Sequence, residues 1–402
     1  MDIRSITFFA DPTGSLDGLA PAVADARAAI AAAGYQLQTV RLATSPFCTW
    51  MNDPADVMDL AGWCSEVGID YLAIGPVRLD DDPGALEQLP EILAHGMVFA
   101  SAEIADTAGR IDIARVARVA ALVKELAGLR DDGFANLYFT AAANCPPGSP
   151  FFPVSYHDGG EGVRFAIATE AAELPQRCLR IVGSLDEARS WLIAAIEEEA
   201  AKLIRFAEAL AGRRNLVFGG IDFSLAPYPD AGRSLGAAME ALGVPAVGGH
   251  GSLFAAAFLA DCVNRADFPR CGFSGLMLPV LEDETLARRA AEGTLGINDL
   301  LLYSAVCGAG LDTVPLAGDV PEGELTGILL DLAALAVRLD KPLTARLMPL
   351  PGLKVGDPVS FDFPYFADSQ VMATKGFGLE GMVTGGEKLA FWRLGRDRDE
   401  RD

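Results

Sequence analysis

The stretch ITFFADPTGSLDGLAPAVADARAAIAAAGYQLQTVRLA, residues 6–43, decides the fold class. Its short apolar beginning is typical of a buried strand, an alanine-rich segment of helical period follows, and a second β-rich run ends it. Strand, crossover helix and strand in this order predict a parallel βαβ unit.

The same alternation continues along almost the whole chain. Runs such as YLAIGPVRL, MVFASAEIA, NLYFTAAANC and RFAIATEA are separated by stretches of helical period or by turns, which gives about ten strands. Because no low-complexity linker divides the chain, we predict one α/β domain over residues 1–402, a closed ten-stranded α/β barrel with its helices outside. Loops after the strands would then build the site. The charged end, residues 393–402, is expected to be solvated and disordered.

Composition and charge exclude several classes of protein. With 55 acidic and 32 basic side chains the net charge is -23, so nucleic acid and anionic membrane surfaces are not expected partners. The seven cysteines form no C-x-x-C pair, which argues against a disulfide framework or a thiolate zinc site. The N-terminus lacks a secretory h-region and no apolar run is long enough for a bilayer. We expect a cytoplasmic protein, with a homodimer suggested by Gly/Ala-rich helices.

Phosphate-binding loops are missing from the strand-to-helix turns. Neither G-x-G-x-x-G at such a turn nor G-x-x-x-x-G-K-[ST] is present, so no nucleotide cofactor is expected. A small-molecule ligand is the expected partner instead.

The first loop with dense polar residues is NCPPGSPFFPVSYHDGG, residues 144–160. His157 beside Asp158 suggests a catalytic base or a metal ligand, unless the adjacent side chains point apart. Asn144 and Tyr156 are candidate substrate contacts. The apolar PFFP, with Phe151, is either a plug of the barrel end or a further substrate contact.

Two further loops carry candidate ligand-binding groups. In GGIDFSLAPYPDAGRSLG, residues 219–236, Asp222 and Ser224 face the same side of a strand, and Asp222 is either functional or paired with Arg233. In VGGHGS, residues 247–252, His250 precedes a helix N-terminus that favours anions, although the motif is short and a turn histidine without a catalytic role is the favoured interpretation.

The stretch YSAVCGAGLDTVPLAGDVP, residues 303–321, is interpreted as a helix that breaks into a glycine-hinged loop. Asp312 and Asp319 would converge there and, with Asp222, form a site for a divalent cation such as Mg²⁺, Ca²⁺ or Mn²⁺. Alternatively the glycines end a helix and the aspartates cap the next elements. Cys307 is either a reactive thiol or a small apolar side chain.

Several of these segments together resemble an uncharacterised prokaryotic family, labelled as proteins of unknown function or as "PFL family protein". The resemblance extends from about Phe139 to Val371, and its most specific pattern is C-x-x-G-L-D-x-x-x-x-x-G-D, which begins at Cys307 and ends at Asp319. It implies a ten-stranded α/β barrel similar to those of pyruvate formate-lyase and ribonucleotide reductase.

Activity does not transfer with that fold. Glycyl-radical lyases carry an Arg-Val-x-Gly-Phe/Tyr segment, whereas the nearest stretch here, ATKGFGLEGM, has Gly376 and Gly378 without the Arg and Val. We therefore expect a non-radical lyase or hydrolase that acts on a small polar metabolite at the barrel mouth, assisted by a divalent cation. A non-catalytic ligand-binding or regulatory protein is the alternative, and a degenerate glycyl-radical enzyme is a third. A closed apolar pocket without titratable groups would favour the binding protein.

Overall fold

A computed structural model describes residues 1–160, 162–376 and 378–394; most of the predicted charged tail lies outside them. The described residues form thirteen strands and eleven α-helices. The strands are β1 (Asp2–Phe9), β2 (Leu37–Ala43), β3 (Tyr71–Val77), β4 (Val98–Ala105), β5 (Arg110–Asp112), β6 (Phe139–Ala143), β7 (Arg164–Glu170), β8 (Val217–Asp222), β9 (Gly310–Ala317), β10 (Leu343–Leu350), β11 (Pro358–Val359), β12 (Ser369–Gln370) and β13 (Lys388–Ala390). The helices are α1 (Leu19–Ala32), α2 (Pro54–Glu66), α3 (Leu89–Leu93), α4 (Ile113–Ala127), α5 (Glu173–Leu179), α6 (Leu185–Arg214), α7 (Leu235–Ala241), α8 (Ser252–Arg265), α9 (Glu284–Ala291), α10 (Ile297–Ser304) and α11 (Glu322–Arg338).

One large mixed sheet of 11 strands organises the molecule. Its centre is five parallel strands in the order β1, β2, β3, β4 and β6. On one side β7 pairs antiparallel with β1 and parallel with β8, and on the other β10 pairs antiparallel with β6 and parallel with β9. The N-terminal ends of the five central strands therefore lie at the same end of the sheet as the C-terminal ends of β7, β8, β9 and β10.

The predicted closed ten-stranded barrel is not confirmed, because the regular ladder stops at β8 and β9. The apolar, β-rich composition of GLMLPVL, residues 275–281, predicts a strand. It and the residues before it make only isolated bridges, Ile221 with Arg270, Leu225 with Leu276, and Pro279 with Asp312. Pro279 lacks the N–H that a ladder needs, which explains part of the irregularity.

The stretch at residues 303–321, predicted to be a loop, contains strand β9. Pro315 is tolerated because β9 lies at the edge of the regular ladder. The register between β9 and β10 shifts between Ala345 and Leu347 of β10. Thr313 of β9 lies at this shift and has a φ of 44°. Asp312 therefore projects from a strand, and the expected convergence of Asp312 and Asp319 in one loop is wrong.

Local sequence signals explain where the crossover helices begin and end. Helix α2 starts with Pro54 after Asp53, whose side chain accepts a hydrogen bond from the Ala55 N–H. The 30-residue helix α6 follows the N-cap Ser184 and ends before the C-cap Asn215, which adopts a left-handed conformation. Within the described residues no helix combines the length and the apolar character needed to cross a membrane.

Candidate functional site

A cavity lies among the strands and their loops, and the space free of protein atoms inside it, counting its open mouth, is about 870 Å³. Side chains from near the starts of β1 to β4 meet side chains from near the ends of β7 and β8, and no residue of α1–α11 lines it. The polar and charged lining residues are Arg4, Ser5, Gln38, Thr39, Arg41, Tyr71, Thr169, Asp222, Ser224, Glu282, Asp312, Arg346 and Tyr365.

The loop after β6 forms an apolar wall of this cavity. Pro150, Phe151 and Phe152 all line it. The ring of Phe152 packs edge to face on Phe99 with 5.3 Å between centroids, and Phe151 packs on Phe273 at 5.1 Å. The apolar PFFP segment thus seals part of the cavity and is also available for contact with a ligand.

A network of alternating charges forms another part of the cavity wall. Arg346 on β10 places Nε 2.6 Å from Oδ1 of Asp312 on β9, and its Nη2 lies 3.3 Å from Oε1 of Glu282. Arg4 on β1 donates a hydrogen bond to the other carboxylate oxygen of Glu282. Arg346 also donates to the carbonyl oxygen of Leu137 at 3.3 Å. Two guanidinium groups and two carboxylates are therefore held together, with Asp312, Glu282 and Arg346 buried and Arg4 partly exposed.

The two carboxylates respond to this environment in opposite directions. Burial raises the pKa of Asp312, and the negative charge of Glu282 adds to that increase, although Arg346 opposes it. Burial acts on Glu282 in the same way, but the two guanidinium groups of Arg4 and Arg346 outweigh it and lower the pKa of Glu282. Among the described residues only one oxygen of the Asp312 carboxylate accepts a hydrogen bond.

A third guanidinium group, that of Arg41 on β2, lies in the cavity without such a partner. Its Nε donates to Oγ1 of Thr39 at 2.8 Å, and its carbon Cζ lies 5.0 Å from the ring centre of Phe152 and 5.9 Å from that of Tyr71. No carboxylate oxygen of the described residues lies within 4.0 Å of its nitrogens. Burial, and next the charge of Arg4, lowers the pKa of Arg41 to about 9, so the group is still a cation at neutral pH.

The family comparison confirms the expectation of an uncharacterised family. The model described as "Uncharacterised ACR (DUF711)" matches residues 13–368. The chain belongs to the DUF711 family. It is 34% identical over 349 residues to a UPF0210 protein of Pyrobaculum aerophilum, which covers 81% of this chain and 76% of the relative. A UPF0210 protein of Pyrobaculum islandicum is 32% identical over 402 residues (89% and 87%), and one of Methanopyrus kandleri is 33% identical over 330 residues (75% and 69%).

Four of the residues predicted for the site line the cavity described above, namely Phe151, Asp222, Ser224 and Asp312. The Asp222 carboxylate accepts hydrogen bonds from Ser224 Oγ at 2.5 Å and from the N–H groups of Phe273 at 3.1 Å and Ser274 at 2.9 Å. It therefore fixes the turn that follows Gly272, where an added Cβ would lie 2.2 Å from Oδ2 of Asp222.

Of the two alternatives for Asp222, the pairing with Arg233 is not observed, because the Arg233 side chain forms ion pairs elsewhere. Its Nη2 lies 2.6 Å from Asp230, and its Nη1 lies 3.2 Å from Glu170. Burial raises the pKa of Asp222 while the three hydrogen bonds to its carboxylate oppose that increase.

The three aspartates predicted to hold a divalent cation do not come together. Asp222 is bound to its turn and Asp312 to Arg346, whereas Asp319 is exposed after β9. Within the part of the chain that the structure describes, no group of three or more His, Cys, Asp or Glu side chains could hold a metal ion. A cation at Asp312 would compete with Arg346.

His157 and Asp158 lie at a second pocket, outside the DUF711 cavity. The His157 ring is buried, with Nε2 2.9 Å from the Gly160 carbonyl oxygen and Nδ1 3.3 Å from the Asp158 carboxylate. Arg164 approaches Asp158 at 3.6 Å. The pair is thus adjacent in space as well as in sequence, and its interactions stabilise the loop.

Asn144 and Tyr156 also support this loop and do not line the cavity. Asn144 has a φ of 57°, and its side-chain amide donates to Asp340 at 3.3 Å. The hydroxyl of Tyr156 donates to the carbonyl oxygen of Cys145 at 3.2 Å. The expected substrate contacts at these two positions remain predictions.

His250 and Cys307 lie away from the DUF711 cavity. His250 is exposed in the turn before α8. Cys307 is buried, lines a separate pocket, and its carbonyl oxygen accepts a hydrogen bond from the Lys341 ammonium. No cysteine is among the described residues that line the cavity.

Apart from Asp312, the charged residues that dominate the site were not among the predicted ones. Arg4, Arg41 and Arg346 lie inside strands, and Glu282 precedes α9. A signal was present in the sequence, because each arginine interrupts an otherwise apolar or β-rich run, as Arg346 does in TARLMPLP.

Proposed function

We propose that the cavity is the active site of a non-radical enzyme, of lyase or hydrolase type, that acts on a small polar metabolite. The observation that carries this proposal is the network of Asp312, Arg346, Glu282 and Arg4 in the cavity wall. Charged side chains that line a concave site and are held by several partners are typical of catalytic machinery.

Asp312 is the proposed general acid and base. Its raised pKa brings the carboxyl group closer to neutral pH, and one of its oxygens makes no hydrogen bond to a described residue. Glu282, whose pKa is lowered, stays ionised and positions Arg4 and Arg346. Two carboxylates with opposite shifts are the arrangement expected of an acid–base pair with divided roles. Arg346 would stabilise Asp312 whenever that side chain is ionised.

The composition of the cavity favours an enzyme over the alternative of a ligand-binding or regulatory protein. A binding protein was expected to show a closed apolar pocket around Phe151 and Phe152 without titratable groups. Both rings do line the cavity, but Glu282 and Asp312 line it as well. The same site can still bind a ligand without turning it over, and the experiment below separates these outcomes.

The non-radical character rests on the loop after β6. Where a radical enzyme would need a cysteine inside the barrel, this loop brings Pro150, Phe151 and Phe152 into the cavity. The likeness to the barrel of pyruvate formate-lyase remains a proposal, supported by five parallel strands flanked on both sides by strands of opposite direction. The cytoplasmic location, the homodimer and the divalent cation also remain predictions.

The test compares Asp312→Asn with Asp319→Asn, an exposed aspartate of the same region. Each purified protein is incubated with a mixture of polar metabolites, and loss of each compound is followed by mass spectrometry. We expect wild type and Asp319→Asn to consume the same compound and Asp312→Asn to consume it at least about a hundredfold more slowly. Equal rates in all three proteins, or binding without consumption by wild type, would overturn the proposal.

A further inference from the structure

Arg41 is the one cavity arginine whose nitrogens have no carboxylate oxygen of the described residues within 4.0 Å, although the charge of Glu282 acts on it from farther away. Arg4 pairs with Glu282, and Arg346 pairs with both Asp312 and Glu282, but Arg41 makes a hydrogen bond only to the neutral hydroxyl of Thr39. A partly buried cation without a counter-ion is costly to the folded protein. Such a residue is best explained by a counter-ion that arrives with a ligand.

The N–H donors of the Arg41 guanidinium that make no hydrogen bond to a described residue are those of its two terminal nitrogens, which suit a planar anion. Nε is used by Thr39, so among the described residues Nη1 and Nη2 have no hydrogen-bond partner. Neither is among the buried polar atoms that lack a partner, which is consistent with both nitrogens facing open space. A guanidinium group presents two parallel N–H donors that match the two oxygens of a carboxylate.

The surroundings of Arg41 are aromatic. Tyr71 is its register partner on β3, Phe152 lies beneath its guanidinium, and Phe99 packs on both rings with centroid distances of 5.1 Å to Tyr71 and 5.3 Å to Phe152. Phe363 lines the same cavity. A flat apolar group next to the anion would therefore meet ring surfaces on several sides.

From this arrangement we infer the substrate class of the proposed active site: a small organic monoanion, in the first place a carboxylate, that binds Arg41 and places a flat apolar body against Phe99 and Phe152. The inference rests on the proposed function and names what that site takes. A single negative charge fits because one arginine lacks a partner. A more highly charged anion would be repelled by the carboxylates of Glu282 and Asp312.

Two carboxylates and their neutral amides test the inference directly. Binding of benzoate and phenylacetate, and of benzamide and phenylacetamide, is measured by calorimetry and by ligand-observed NMR. We expect at least one carboxylate to bind wild type with a Kd below about 10 mM and its amide at least about tenfold more weakly. If neither carboxylate binds, or if the amides bind equally well, the inference is overturned.

Variants then locate the bound carboxylate. Arg41→Met should weaken its binding at least about tenfold, and Arg41→Lys, which keeps the charge without the fork, should give an intermediate loss. Arg164→Met is the matched control, because Arg164 lines the second pocket with His157, and it should bind like wild type. Loss of binding in Arg164→Met with full binding in Arg41→Met would place the anion at the second pocket and overturn the inference.

Failure of the inference can be told apart from failure of the proposed function. Asp312→Asn should retain carboxylate binding, since Asp312 is not a partner of Arg41 among the described residues. Carboxylate binding that depends on Arg41, together with turnover that does not depend on Asp312, would support the substrate class and refute the acid–base role. Turnover that depends on Asp312, with carboxylate binding unchanged in Arg41→Met, would do the reverse.

Discussion

Replacing Arg346 by methionine should destabilise the protein far more than the same replacement at Arg41, although both arginines line one cavity. Arg346 is 5% exposed and is the only cation within hydrogen-bonding distance of the Asp312 carboxylate among the described residues. Removing one partner of a buried ion pair costs about 3–5 kcal/mol, because the other charge is left buried without compensation. Arg41 has no such partner, so Arg41→Met should change the free energy of unfolding by less than about 1 kcal/mol or stabilise the protein.

The magnitude can be converted to a melting temperature. With an unfolding entropy of about 2.1 cal/mol/K per residue and 402 residues, a loss of about 3–5 kcal/mol lowers the Tm by roughly 4–6 °C if unfolding is two-state. Urea unfolding followed by circular dichroism gives the free energy, and a thermal scan gives the Tm. Both measurements are made on wild type, Arg346→Met and Arg41→Met in the same buffer.

The pH dependence of this loss adds a second check. Without Arg346 the pKa of Asp312 rises further above its value in the unfolded chain, so the folded protein holds that proton more tightly. The destabilisation is then absent below the unfolded pKa and grows as pH rises towards the folded pKa. Arg346→Met should therefore be closer to wild type at pH 5 than at pH 8. A loss below about 1 kcal/mol for Arg346→Met, or an equal loss for Arg41→Met, would refute the reasoning about the network.

Two further predictions concern acid stability and backbone packing. Folding lowers the pKa of Glu282, so its contribution to the free energy of unfolding is complete above the unfolded pKa and is lost as pH falls through the folded pKa. A plot of Tm against pH from 6 to 3 should therefore fall less steeply for Glu282→Gln than for wild type. Parallel curves would contradict this. Gly248→Ala should lower the free energy of unfolding in urea by well over about 1 kcal/mol, since the added Cβ would lie 1.9 Å from the Thr294 carbonyl oxygen. Gly243 has a similar φ but no atom within 4 Å of an added Cβ, so Gly243→Ala should be destabilised only by backbone strain. Equal losses in the two variants would show that the close contact does not matter.

The first half of the fold could be predicted from sequence because most of its strands are buried on both faces. Parallel strands covered in this way appear as largely apolar runs. The runs that begin at Ile6, Tyr71 and Met97 correspond to strands of the central sheet, as does the more polar, β-rich run that begins at Tyr35. The crossover helices between them have clear caps, such as Asp53 before α2.

The second half was harder to predict because proline and glycine occur there both inside a strand and in a segment that forms no regular strand. Glycines and Pro315 suggested a loop at residues 310–317, but an edge position tolerates proline and the segment is β9. The run at residues 275–281 suggested a strand, yet it makes only isolated bridges. Pairing partners far apart in the chain decide such cases, and local sequence does not contain them.

The site was only partly predictable, since polar residues in loops and at strand ends suggested ligand binding, whereas arginines inside strands did not. Phe151, Asp222, Ser224 and Asp312 do line the cavity. His157, with its neighbouring carboxylate and glycines, had the sequence features of a catalytic base. The structure instead places its Nε2 2.9 Å from the carbonyl oxygen of Gly160, outside the cavity.

A charged residue inside a central strand is the stronger indicator of a site in this fold. Arg41 lies between Leu42 and the run that ends at Val40, on a strand with β1 on one side and β3 on the other. Both edges of such a strand are paired and most residues of β2 are at least half-buried, so an arginine that points to a covered face must either meet a buried carboxylate or project into a cavity. Arg346 on β10 does both, and Arg41 does only the second. The contrast between these two arginines therefore distinguishes two parts of the cavity. Near Arg346 the protein's own carboxylates neutralise the positive charge, whereas near Arg41 we propose that a bound ligand supplies the negative charge.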